Sequence, residues 1–193
     1  MDAPQQKSAD EALARLKDGN GRFVEDQLAR ELQDGVRRVG LKDGQAPWAI
    51  VLSCADSRVV PELIFDTGIG ELFVVRVAGN IANTSSLASI EYAVAHLNVK
   101  LIVVLGHEGC GAVKATLDGG DLGYNLNHLV SHITPAVAQP FSTDDHLTEA
   151  VERNASLTTG QLQERSAIVR GAEGLQVVPA VYRLASGEVS FID

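Results

Sequence analysis

Runs dominated by apolar residues alternate along this chain with stretches in which apolar positions recur every three or four residues. "WAIVLS" (48–53) is a short continuous apolar run, which predicts a buried strand, and "ELFVVRVA" (71–78) and "KLIVVLG" (100–106), the most uniformly apolar, read as a second and a third strand. "TSSLASIEYAVAHL" (84–97) has helical spacing, with Thr84 as the expected N-cap. "PELIFD" predicts a short helix with Pro61 in its first position, where a backbone N–H is not needed. Segments 124–138 and 144–170 read as mostly helical, and "LQVVPAVYRLASGEVSFI" predicts two closing strands about a Ser-Gly turn. Strands alternating with helices predict an α/β fold, a central and mostly parallel β-sheet flanked by helices.

The N-terminal part behaves differently. Ser8 and Glu11 fit a capping box, and Leu13 and Leu16 follow at helical spacing. "KDGNGRF" then interrupts with two glycines before "FVEDQLAREL" resumes a helical pattern. Residues 8–35 therefore read as a helical arm too thinly apolar to form a core alone, expected to lie across another surface such as a second subunit. No internal repeat or low-complexity tract appears, so residues 1–193 read as one domain.

Composition narrows the function classes. The chain has 193 residues, 45% of them apolar, enough for a sizeable core. Its formal net charge of −9 argues against nucleic acid or an anionic membrane as partner. No apolar run approaches the roughly 20 residues that would span a bilayer. The start, "MDAPQQKSADEALARL", lacks a basic segment followed by an apolar one, which predicts no signal peptide and a cytoplasmic protein, or a periplasmic one if a leader has been removed.

The candidate chemistry lies just past two predicted strands. Cys54, one of only two cysteines, ends the first run in "VLSCADSRVVPE", and Asp56 and Arg58 follow at alternate positions. After the third run, "GHEGCGAV" carries His107 and Cys110, with Gly106, Gly109 and Gly111 allowing tight bends. In a parallel sheet such loops gather at one edge. Cys, His and Cys form a known zinc ligand set that leaves a fourth position open. The two thiols could instead form one disulfide, which adds little to a domain with a good core. The glycine spacing G-x-x-G-x-G differs from the dinucleotide fingerprint G-x-G-x-x-G. His128 and His132 lie four apart in "NHLVSH", but Leu129 stands where a metalloprotease helix has its glutamate, so a solvated face is expected. His96 and His146 belong to no pattern.

"CADSRVVPE", "LFVVRVAGN" and "GHEGCGAV", in this order, resemble the β-class carbonic anhydrases, and the resemblance extends over roughly residues 8–192. It implies that Cys54, His107 and Cys110 bind zinc (Zn2+) and that Asp56 and Arg58 are a catalytic dyad. It also implies reversible hydration of carbon dioxide to bicarbonate and a proton, by attack of zinc-bound hydroxide. Gln45, Phe73, Tyr92 and Gly111 match the family's substrate pocket, with Gln45 reaching in from a partner subunit, which implies a homodimer or homotetramer. Arg76, Gly79 and Asn80 match the family's "RxAGN" stretch, although Val77 stands where many relatives have asparagine. Val51 occupies the place of a tryptophan used by some members for a regulatory bicarbonate site, with Trp48 nearby instead, which argues against such a site. Two rival readings are a carbonyl sulfide or carbon disulfide hydrolase on the same scaffold, and a non-catalytic zinc protein. The second fits the Asp56–Arg58 pair poorly, since a structural site prefers a fourth protein ligand.

Overall fold

A computed structural model of the chain describes residues 7–192; residues 1–6 and 193 of the expected domain lie outside them. Five strands form one sheet: β1 Ala49–Ser53, β2 Leu72–Arg76, β3 Leu101–His107, β4 Gln176–Tyr182 and β5 Val189–Phe191. Their spatial order is β2-β1-β3-β4-β5. All neighbours are parallel except β4 and β5, the hairpin expected from the closing sequence.

The helices are α1 Ala9–Val24, α2 Gly35–Gly40, α3 Pro61–Ile64, α4 Thr84–Leu97, α5 Gly111–Asp118, α6 Tyr124–Ser131, α7 Thr134–Val137, α8 His146–Arg165 and α9 Ala167–Gly171. Side chains alternate across each strand, so the sheet divides its apolar residues by parity. Val51, Val103 and Leu105 face one side and pack with Ala12 and Leu16 of α1 and Ile64 of α3. Ile50, Leu52, Ile102 and Val104 face the other and pack with Ile90 and Val94 of α4, Ala155 and Leu162 of α8, and Val169 of α9. β1 and β3 are buried on both faces, which is why they read as continuous apolar runs, whereas edge strand β2 is only half-buried.

Three local expectations are corrected. α1 does not stop at its glycines, nor is its apolar stripe left for another surface. Its buried face packs on this chain's own sheet, and Gly19 permits the approach, since a Cβ there would lie 2.0 Å from the Phe65 carbonyl oxygen. Buried Asn20 ties the helix down, donating to the Gly187 and Ile64 carbonyls and accepting from the Val189 N–H. Next, "FVEDQLAREL" is not helical beyond Val24: Asp26, Arg30 and Leu32 have positive φ, and Asp66 accepts from the Ala29 and Arg30 N–H groups. A distant carboxylate has captured backbone donors that a helix would have used. Finally, α4 is capped by Asn83, whose side chain accepts from the Ser86 N–H, with Thr84 its first helical residue. Among the described residues no helix is long and apolar enough to cross a membrane.

Candidate active site

The chain leaves β1 on one side of the sheet to form β2 and reaches β3 on the other, so β1 and β3 flank a topological switch point, where open α/β sheets place their sites. Ser53 pairs with Leu105, which sets Cys54 and His107 side by side as both strands end. Cys110 is the N-cap of α5. All three side chains are buried, and their ligating atoms lie within 4.8 Å of one another. The two thiols are free, with Sγ atoms 4.0 Å apart. That is far beyond the roughly 2.05 Å of a disulfide and close to the ~3.8 Å expected for two sulfurs at tetrahedral positions about 2.3 Å from zinc.

The histidine supplies an independent test of fit. His107 Nδ1 lies 2.9 Å from the Glu108 carbonyl oxygen. A carbonyl only accepts, so the proton belongs on Nδ1 and the lone pair on Nε2. Nε2 is buried without a hydrogen-bond partner. A buried acceptor left unmatched is costly, and a metal ion among these donors would satisfy it. The donor set fits zinc.

The thiols are electrostatically unequal. Cys54 is pushed down, chiefly by the hydrogen bond from the Cys110 thiol, and the Gly79 N–H at 3.4 Å adds to this. Cys110 is pushed up, because it donates to Cys54 and is buried, although the Ala112 and Val113 N–H groups in the first turn of α5 oppose the shift. One thiolate forms readily here. A second needs a cation to share.

Asp56 and Arg58 form a bidentate pair beside this cluster, with Nε to Oδ1 at 2.9 Å and Nη2 to Oδ2 at 2.7 Å. The Arg58 N–H also donates to Oδ1. Arg58 holds the Asp56 carboxyl well below the usual carboxylate range. Asp56 Oδ2 is 3.9 Å from His107 Nε2, so the carboxylate borders the space that the lone pair faces. Arg76 at the end of β2 fixes this loop from beneath, donating to the Asp56 carbonyl at 2.6 Å and the Cys54 carbonyl at 3.1 Å.

The expected pocket residues divide. Gly111 opens α5 directly beside Cys110. Phe73 pairs with Ile50, three residues short of the strand end at Arg76, or about 10 Å at 3.3 Å per residue. Tyr92 of α4 stands against it, with ring centroids 6.4 Å apart. Exposed Gln45 precedes β1, at the opposite end of the strand from Cys54. These three are not brought to this chain's own Cys-His-Cys cluster. His128 and His132 lie on and just past α6, their rings 5.3 Å apart, outside the cluster. His96 packs on Tyr92, and His146 stacks on Phe141. One residue near the site gave no signal in the sequence. Asn154, in the middle of α8, is buried and donates to the Gly79 carbonyl at 2.8 Å.

An α/β sheet carrying two thiols, an imidazole and an acid–guanidinium pair at its switch point defines a candidate metal-dependent enzyme. Comparison with known proteins gives the family. Residues 49–189 match the family model described as "Carbonic anhydrase". A carbonic anhydrase of Mycolicibacterium smegmatis is 44% identical over 92% of this chain and 90% of its own. Carbonic anhydrase 2 of Mycobacterium tuberculosis is 42% identical over 94% and 92%. The solved structure of the β-carbonic anhydrase CcaA superposes with a TM-score of 0.71 at 30% identity, covering 94% of this chain and 92% of that one. This chain belongs to the β-carbonic anhydrases, lyases of the carbonate dehydratase type.

Proposed function

We propose that this chain hydrates carbon dioxide reversibly to bicarbonate and a proton, with Cys54, His107 and Cys110 holding one zinc ion. The observation that carries the reading is the buried, unpartnered Nε2 of His107 among two free thiols, with a charged acid–guanidinium pair at its open side. Bound zinc would supply the Lewis acidity that brings a water's pKa toward neutrality.

The roles of the other residues follow from their charge states. Asp56 is ionised and held too acidic to keep a proton near neutral pH, so it acts as an orienting acceptor and not as a general base. Arg58 maintains both its charge and its direction. The proton that hydration releases leaves by the solvent-facing side, where the Arg58 side chain is 56% exposed. Gly111 offers a first-turn N–H of α5, and that end of the helix favours an anionic product as well as the Cys110 thiolate. Ile81 and Ile133 belong to the same buried apolar cluster as both cysteines, and that cluster limits water on the inner side.

Gln45, Phe73 and Tyr92 serve the site of a second copy. The length of β1 alone, five residues or roughly 16 Å, lies between the segment that carries Gln45 and its own Cys54. Exposed Val36 and Val39 on α2, at 80% and 68%, supply apolar surface for such a dimer or for a tetramer. Light scattering should find no active monomer at micromolar concentration; an active monomer would refute the shared site. The reaction itself is tested by stopped-flow carbon dioxide hydration run beside carbonyl sulfide hydrolysis on the zinc-loaded protein. Fast hydration with slow carbonyl sulfide turnover supports the proposal, and the reverse ranking would overturn it.

A further inference from the structure

We infer that Asn154 is a positioning residue for the metal centre, acting through the Gly79 peptides on the Cys54 sulfur. The inference rests on the metal-site reading above and deepens it. Asn154 lies on α8, about a hundred residues along the chain from Cys54, and is 1% exposed. Its Nδ2 donates to the Gly79 carbonyl at 2.8 Å, and the Gly79 N–H in turn points at Cys54 Sγ at 3.4 Å.

The intermediate residue makes the anchor necessary. Gly79 lies in a single 3-10 turn, Ala78–Asn80, between β2 and α4, with φ 71 and ψ 16. Glycine is suited to this conformation, yet it is also the residue with the most freedom to leave it. A side chain at this position cannot supply the missing restraint, because a Cβ would lie 2.6 Å from Ile133 Cδ1 and 3.3 Å from the Ala112 Cβ. Rigidity must come from neighbours. The Asn80 N–H bonds the Val77 carbonyl on one side of the turn, and Asn154 holds the following carbonyl on the other.

An N–H aimed at a ligating sulfur stabilises the thiolate and tunes how strongly it holds a metal, as outer partners of metal ligands generally do. Without Asn154 the Gly79 carbonyl would be buried and unpaired, and the turn could rotate to find another donor. The N–H directed at Cys54 would move with it. Asn154 hydrogen-bonds neither the ligating atoms nor the Asp56–Arg58 pair, so its hydrogen-bond link to the site runs through Gly79.

The test compares wild type, Asn154→Leu, Asn154→Ala and Cys54→Ser. Leucine keeps the branched heavy-atom skeleton of asparagine with more bulk but cannot donate; alanine removes the side chain without adding bulk, so an effect shared by both reports the lost donor. The zinc-loaded proteins are mixed with excess chelator and zinc release is followed. The same proteins are loaded with cobalt to record the thiolate-to-cobalt charge-transfer band, and metal-free stability is measured by urea unfolding. Both Asn154 variants are expected to release zinc about 10- to 100-fold faster and to shift the cobalt band, beyond any change in metal-free stability. Wild-type release with an unshifted band would overturn the inference, as would a loss of stability alone. Cys54→Ser separates the two levels: if it retained zinc like wild type, the metal-site reading itself would fall.

Discussion

Replacing Gly79 by alanine perturbs the turn behind Cys54 by one methyl group, and the structure sets the size of the effect. The left-handed conformation at φ 71 costs an L-residue about 1–2 kcal/mol. The new Cβ would stand 2.6 Å from Ile133 Cδ1, whereas carbon atoms rest about 3.5–4.0 Å apart. Ile133 is fully buried and cannot turn into solvent, so it must repack, at a further ~1–3 kcal/mol. The sum, about 2–5 kcal/mol, is a large part of the 5–15 kcal/mol that holds a typical domain together. For a chain of this length it corresponds to a melting temperature lower by about 4–20 °C. Thermal unfolding followed by circular dichroism on metal-free protein measures it. A second variant isolates the steric part: Ile133→Val removes Cδ1, so Gly79→Ala should cost less in that background, with a coupling of about 0.5–3 kcal/mol. Melting of Gly79→Ala within 1 °C of wild type, or strict additivity with Ile133→Val, would refute the reasoning.

Asp56→Asn should keep its zinc and fold but hydrate carbon dioxide about 10- to 100-fold more slowly across the pH range, as loss of an orienting partner does. Because Arg58 lowers the folded pKa of Asp56, the stability linked to it is present above the unfolded value of about 3.9 and lost as pH falls through the lowered one. Urea midpoints of wild type and Asp56→Asn should therefore run parallel from pH 5 to 9 and converge only in acid; divergence near neutrality would contradict the assignment. At the start of α4, Asn83→Ala should cost ~1 kcal/mol and Thr84→Ala only a few tenths in chemical unfolding, since Asn83 holds the cap.

What could be read from the sequence, and what could not, divides by the range of the forces involved. β1 and β3 were legible because strands buried on both faces must be apolar throughout, and Cys54 and His107 were legible as the residues on which those runs end. Asp56 and Arg58 lie within one turn of a ligand, so spacing alone brought them together. The course of residues 25–34 was not legible: Asp66 captures that backbone from more than thirty residues away, against the local helical pattern. α1 crossing its own glycines had the same kind of cause, since Gly19 fits the Phe65 carbonyl and not a local break. Asn83 and Thr84 are adjacent good caps, and the side chain that reaches the Ser86 N–H decides between them. Asn154 reaches the site only through a backbone carbonyl, which accepts from any donor and so leaves no pattern in the sequence.

The central claim is that Cys54, His107 and Cys110 hold the metal on which hydration depends. Zinc content per chain and carbon dioxide hydration, measured on the same preparations of wild type and Cys110→Ser, test it most directly. The account predicts one zinc per chain in wild type, with most of the zinc and the activity lost together in the variant. Full zinc retention with unchanged hydration in Cys110→Ser would contradict it.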